Sequence, residues 1–159
     1  MVFAPVTDAP GLARLDEALR SLSADIAEDY ATDRAALERA VLGPAPAAWG
    51  LLALRGEDTV GAALYSPNFS TVRGAAGVYV SDLWVARAAR GQGLGTRLLA
   101  QVTRAGRDRW GATWLRLAAY HHSHEALAFY ARLGFTPADA QQELRLGPEA
   151  TETLIRRAG

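Results

Sequence analysis

Between Ala9 and Leu22 the apolar residues Leu12, Leu15, Leu19 and Leu22 recur at steps of three and four, which is the spacing of one helix face. Asp8 stands just ahead, where a short carboxylate can accept the first free amides. A second helix is predicted from near Thr32, with Leu37 and Val41 on one face and a stop at Gly43-Pro44. The connecting "SADIAEDYA" is acidic. Over residues 47–70, "AAWGLLALRGEDTVGAALYSPNFS", two β-like runs flank "RGED", which predicts a hairpin. The run "GAAGVYVSDLWV", residues 74–85, is rich in β-branched and aromatic residues and predicts another strand. Leu94, Leu98, Val102 and Ala105 then mark an amphipathic helix over 94–109 that Gly111 can end. Beyond it, "TWLRLAAY" predicts a strand, "SHEALAFYARLG" a helix closed by Gly134, and "QQELRLG" a last strand. No internal repeat or low-complexity segment interrupts this order.

Composition narrows the function more than the fold. The 159 residues suit one domain, long enough to bury roughly two thirds of its unfolded surface. Lys+Arg and Asp+Glu both number 17, so neither a nucleic acid nor an anionic membrane is the expected partner, and any electrostatic function must be local. The chain has no cysteine, which excludes disulfides, thiolate catalysis and zinc-thiolate sites. No basic region followed by a long apolar run opens the chain, and no 18-residue apolar stretch occurs, so a cytoplasmic protein is expected.

The stretch "ARAARGQGLGTRLLAQV", residues 86–102, places Gly91, Gly93 and Gly95 directly ahead of the third helix. Unpaired amides and about half a positive charge at a helix start can hold an anion without any side chain, and glycine lets a phosphate approach. A flexible turn is the plain alternative. The spacing is neither the G-x-G-x-x-G of a dinucleotide fold nor a Walker loop. It does satisfy R/Q-x-x-G-x-G/A through Arg90, Gly93 and Gly95, after a strand ending "DLWV" and before "TRLL". This resembles the acetyl-CoA loop of the GNAT superfamily of N-acetyltransferases. About 30 residues on, "SHEALAFYARLGF" resembles that family's N-x-x-A-x-x-F-Y-x-x-L-G-F segment. The resemblance runs from the first helix to near Leu146.

The resemblance implies an α/β (α+β) GNAT fold, a mixed central sheet of about six to seven strands flanked by about four helices. It implies a single acetyltransferase domain over 1–147, with 148–159 as a C-terminal tail that could form a short helix. Acetyl-CoA would be the co-substrate, its pyrophosphate held by the amides of Arg90, Gly91, Gln92, Gly93, Leu94, Gly95 and Thr96. Leu83, Trp84 and Val85 would pair with the pantetheine arm and point an amide at the thioester oxygen. Tyr130 falls on the tyrosine that commonly protonates the leaving thiolate, although Phe129 and Tyr130 could equally be helix aromatics packed on the sheet. Ser123 replaces the family's usual Asn cofactor contact and is equally a good N-cap. Asp82, a carboxylate in an apolar strand, could bind a cationic amine, relay a proton or make a structural hydrogen bond; by alternation it faces away from Ser81 and Leu83. His121, His122 and His124 sit on a loop, where adjacent positions rarely meet tetrahedral geometry, so no metal is expected, though one of them could serve as a base.

Within the superfamily, "VGAALYSPNFSTVRGAAGVYVSDLWVARAARGQGLGTRLL" looks like the diamine (spermidine/spermine) N-acetyltransferases, in which an E-D pair stands where Ser81 and Asp82 stand here. That implies a homodimer that acetylates a small cationic amine or polyamine by direct attack in a ternary complex. The acidic Asp25, Glu28, Asp29 and Asp33 could attract such a cation or form a solvated helix end. The alternatives are an amino acid, an aminoglycoside-like amine or a protein N-terminus as acceptor, or an acyl-CoA sensor without turnover.

Overall fold

Short acidic side chains start the first two helices. Asp8 accepts from the Gly11 amide at 2.8 Å at the head of α1, Ala9–Asp25, and Asp33 accepts from the Ala36 amide at 3.3 Å at the head of α2, Arg34–Leu42. The computed structural model describes residues 1–138 and 144–158. These divide into two compact units, Met1–Tyr120 and the residues from His121 onward.

The first unit is built on a five-stranded sheet in the order β1-β2-β3-β4-β5: β1 Val2–Pro5, β2 Trp49–Arg55, β3 Asp58–Ser70, β4 Ala75–Val85 and β5 Trp114–Leu117. The first four are antiparallel neighbours, with Gly56 at φ +62° turning β2 into β3. β5 runs parallel to β4, and the crossover that a parallel pair requires is α3, Leu94–Trp110. Gly111, at φ +65°, ends α3 by donating its amide to Arg107 O at 2.9 Å.

The two faces of this sheet bury different helices. On one, Leu12, Leu15, Ala18 and Leu19 of α1 and Leu37 and Val41 of α2 pack with Val6, Leu52 and Ala62, joined by Leu64 and Trp84. On the other, α3 lies close: a Cβ added at Gly106 would sit 2.2 Å from Val78, and the Trp110 ring lies 6.2 Å from that of Tyr65. Leu98 and Val102, both 0% exposed, seal this layer.

The second unit contains α4, His124–Arg132, and α5, Pro148–Ala158. Among the described residues there are therefore five strands, fewer than the six to seven expected, and five helices where four were expected. The strand expected over 113–120 is confined to Trp114–Leu117. Of that expected over 141–147, residues 141–143 lie outside the described residues and 144–147 carry no regular structure. Two elements were not anticipated. β1 is too short for alternation to be legible and contains Pro5, which an edge strand tolerates. A single 3-10 turn, Arg87–Ala89, precedes the glycines. No helix among the described residues is long and apolar enough to cross a membrane.

Candidate functional site

The strand that leads to the glycines is not regular. In β4, Val80 pairs with Tyr65 and Asp82 with Leu64, so Ser81 is one residue too many, a β-bulge. Val78 and Val80 share the α3 face with Tyr65, and unbroken alternation would send Asp82 and Trp84 there as well. The extra residue moves them to the α1 face, beside Leu64 and Ala62, and turns Leu83 and Val85 toward α3. Asp82 and Leu83 do face opposite ways, as alternation implies, while exposed Ser81 stands outside the pattern and donates its hydroxyl to Leu64 O at 3.1 Å. Burial among these apolar neighbours pushes the Asp82 carboxyl above its ordinary value, and the adjacent Ser81 hydroxyl opposes this only in part. The Trp84 indole N–H on the same strand is buried with no hydrogen-bond partner.

β4 ends at Val85, and Ala86 donates its amide to Val60 O at 3.0 Å. The 3-10 turn then anchors Ala89 at 1% exposure, and the chain passes through Gly91 at φ +72° and Gly93 at φ +71° into α3. Gly93 is the N-cap and supplies no side-chain cap, so the first-turn amides around Leu94, Gly95 and Thr96 have no side-chain partner there. An added Cβ at Gly91 or Gly93 would meet nothing within 4 Å, which leaves the loop open on its outer side. Gln92 is folded back, donating to Ala88 O at 3.0 Å and accepting from Arg55 at 3.1 Å. This surface fits the diphosphate of a coenzyme: outward amides, a helix dipole, and no side chain over the glycines.

Arg90 is occupied elsewhere. Its Nε donates to Val85 O at 2.9 Å and its terminal nitrogen to Asp25 Oδ2, while Arg87 donates twice to Asp25 Oδ1, at 3.1 and 3.0 Å. Burial raises the Asp25 carboxyl, but the hydrogen bonds and charges of Arg87 and Arg90 outweigh it and hold the group below the usual carboxylate range. Asp25 is thus ion-paired rather than free to attract an acceptor, and Asp33 is the α2 cap. Of the acidic stretch, Glu28 and Asp29 remain exposed. Nearby, buried Asp16 accepts from the Tyr30 hydroxyl at 2.6 Å, and burial with this bond pushes the phenol up to about 12. Sequence periodicity could not reveal the Asp25 pairings, because its partners lie 62 and 65 residues away.

In the second unit, Tyr130 is packed between Phe129, with ring centroids 5.1 Å apart, and Phe135, at 5.5 Å, and burial raises its phenol above the ordinary value. Ser123 occupies the N-cap position of α4, yet its hydroxyl makes no cap bond. Among the described residues, no group of three or more His, Asp or Glu is arranged to hold a metal ion. A cavity of 840 Å³ is lined by Phe3, Trp49, Tyr65, Arg104 and Arg109 among others, and includes none of the expected site residues.

Residues 13–135 match the family model described as the acetyltransferase (GNAT) family. The chain belongs to the GNAT family. Within it, this GNAT chain is 32% identical over 103 residues to thialysine N-epsilon-acetyltransferase of Bos taurus, covering 63% of this chain and 59% of the relative. The Sus scrofa protein of the same name is 31% identical over 103 residues. The chain thus spans about 59% of the length of the curated relatives it matches. Among solved structures, an integron cassette protein from the mobile metagenome of V. cholerae superposes with a TM-score of 0.78 at 19% identity, covering 98% of this chain and 99% of that one. An aminoglycoside acetyltransferase from an uncultured soil metagenomic sample gives a TM-score of 0.72 at 17% identity, covering 92% and 93%. At such identities the structural likeness carries the fold alone.

Proposed function

We propose that this protein transfers the acetyl group of acetyl-CoA to a primary amine, by direct attack of the amine, with a small cationic amine as acceptor. The observation that carries this reading is the open, uncapped amide cradle from Gly91 to Thr96 at the end of a strand whose bulge re-aims a half-buried carboxylate. The matched relatives' name, which specifies an ε-amino acceptor, supports the same substrate class. When bound, acetyl-CoA supplies an activated acetyl group as a thioester. The amides from Arg90 to Thr96 bind its diphosphate, and the β4 end, Leu83 to Val85, orients the pantetheine arm. Asp82 attracts the cationic amine and takes up its proton, Tyr130 holds a proton for the leaving thiolate, and Ser123 offers its hydroxyl to the cofactor.

Thiol release from acetyl-CoA, followed with Ellman's reagent, tests this across polyamines, lysine analogues, amino acids, aminoglycosides and short peptides. The protein contributes no background, having no cysteine. Release with polyamines or ε-amino compounds is the expected outcome. Release confined to another class would reassign the acceptor, and silence with retained coenzyme A binding would indicate an acyl-CoA sensor.

Asp82 predicts a pH dependence. Since burial raises its carboxyl, the ionised form is gained only above the ordinary carboxylate pKa of about 3.9. The acid limb of kcat/KM is therefore displaced upward, and Asp82→Asn should remove that limb while lowering activity. The effect on stability has the opposite sign. A raised folded-state pKa contributes stability below the unfolded pKa and loses it as pH rises through the folded value, so Asp82→Asn should melt higher than wild type at neutral pH. Rate profiles and thermal melts from the ordinary carboxylate range up through neutral pH check both signs.

A further inference from the structure

The loop that presents the anion-binding amides leaves β4 at Val85 and re-enters regular structure at Leu94. Its glycines carry no side chains with which to hold it, so its placement depends on the other residues. Among the described residues, side-chain ties reach it from β2 and from α1. One, from Arg55 of β2 to Gln92, is exposed. The other converges on Asp25, the last residue of α1, whose side chain is only 18% exposed.

We propose that Asp25 is a positioning residue for coenzyme binding: its carboxylate fixes the 86–93 loop between the end of α1 and the end of β4, so that the amides of the glycine cradle converge on a diphosphate. The inference rests on the acetyl-CoA reading of that cradle. Its geometric basis is the Arg90 fork. The Nε of this guanidinium donates to Val85 O and its far nitrogen donates to Asp25 Oδ2, so a single planar group spans strand end and helix end. The second oxygen, Oδ1, takes both Nε and a terminal nitrogen of Arg87, so the carboxylate also holds the 3-10 turn immediately before the glycines. Charge-assisted, multiply bonded pairs of this kind fix orientation as well as distance. A lysine at either position would keep the charge and lose the fork.

A competing role for the same carboxylate has opposite consequences. If Asp25 merely neutralised two arginines that would otherwise bind phosphate, its removal would free them and tighten coenzyme binding. The Arg90 contacts argue against this, because Val85 O retains that guanidinium independently of Asp25.

The experiment is titration of the full chain with coenzyme A by calorimetry, alongside steady-state kinetics and thermal melts, for wild type, Asp25→Asn, Asp25→Glu and Arg90→Lys. Asp25→Asn should weaken coenzyme A binding at least about tenfold and raise KM for acetyl-CoA by a similar factor, with kcat and KM for the amine little changed, a split that general destabilisation would not produce. Asp25→Glu should recover most of the affinity, and Arg90→Lys, which keeps the charge, should resemble Asp25→Asn. Unchanged or tighter binding in Asp25→Asn, or wild-type affinity in Arg90→Lys, overturns the proposal while leaving the acetyl-CoA reading intact. Failure of the wild type to bind coenzyme A overturns both. If Asp25→Asn does not fold, the Arg90→Lys and Asp25→Glu affinities decide alone.

Discussion

Tyr130→Phe should lower kcat by about 10²- to 10⁴-fold, the range that a positioned general acid contributes, while the affinity for coenzyme A stays at the wild-type value. The phenol lies in α4 and is packed between Phe129 and Phe135, so the ring is held in one orientation and burial keeps the hydroxyl protonated above its ordinary pKa. Removing one oxygen leaves both aromatic contacts, and the helix should fold as before. Single-turnover kinetics with coenzyme A titrations separates the roles. A loss in the chemical step at unchanged affinity assigns Tyr130 the proton donation to the leaving thiolate. An unchanged kcat would reduce it to a packing residue, and loss of affinity would make it part of the binding surface.

Asp82 and Asp25, both in the first unit, have opposite environments. Asp82 lies on the α1 face among Leu64, Ala62 and Trp84, and burial dominates its titration; Asp25, at the helix end, faces two guanidinium groups that overcome its burial. The first is suited to exchanging a proton and the second to remaining a fixed charge. Residue type alone predicts neither behaviour. Asp25, Glu28, Asp29 and Asp33 read together as an acidic patch, yet one is a brace and one is a cap.

Helices α1, α2 and α3 were legible because their apolar spacing and end signals are local: Asp8, Asp33 and Gly111 act within a few residues of the helix ends they define. The glycine motif was legible for the same reason. β1 was not, because four residues at an edge present no period, and its pairing with Leu51 to Leu54 is a tertiary fact. The bulge at Ser81 was hidden as well, since the extra residue is defined only against Leu64 and Tyr65 across the sheet. The Asp25 brace escaped because it joins residues that folding alone brings together. Motifs thus indicated the family, while the direction in which Asp82 points and the means by which the loop is held depended on the fold.

The glycine cradle offers the sharpest separation of binding from folding, and Gly93→Val is expected to weaken coenzyme A binding by about tenfold to a hundredfold, or about 1.4 to 2.8 kcal/mol. Gly93 sits at φ +71°, where a β-branched residue is a steric outlier, and an L side chain in the left-handed region costs about 1–2 kcal/mol. No neighbour lies within 4 Å of an added Cβ, so the strain expected at that atom is one of backbone conformation. Relief by rotation of φ would turn the first-turn amides of α3 out of their present orientation. Leu94 and Leu98, at 3% and 0% exposure, keep α3 seated on the sheet, so the loss of binding should exceed what unfolding explains. Gly111→Val is the matched control. Gly111 has φ +65° and equally open space, but lies at the opposite end of the same helix. It should lower the melting temperature comparably and leave coenzyme A affinity unchanged. Equal loss of affinity in both variants would show that the cradle has no special role, whereas loss in Gly93→Val alone would assign anion binding to the amides at the head of α3.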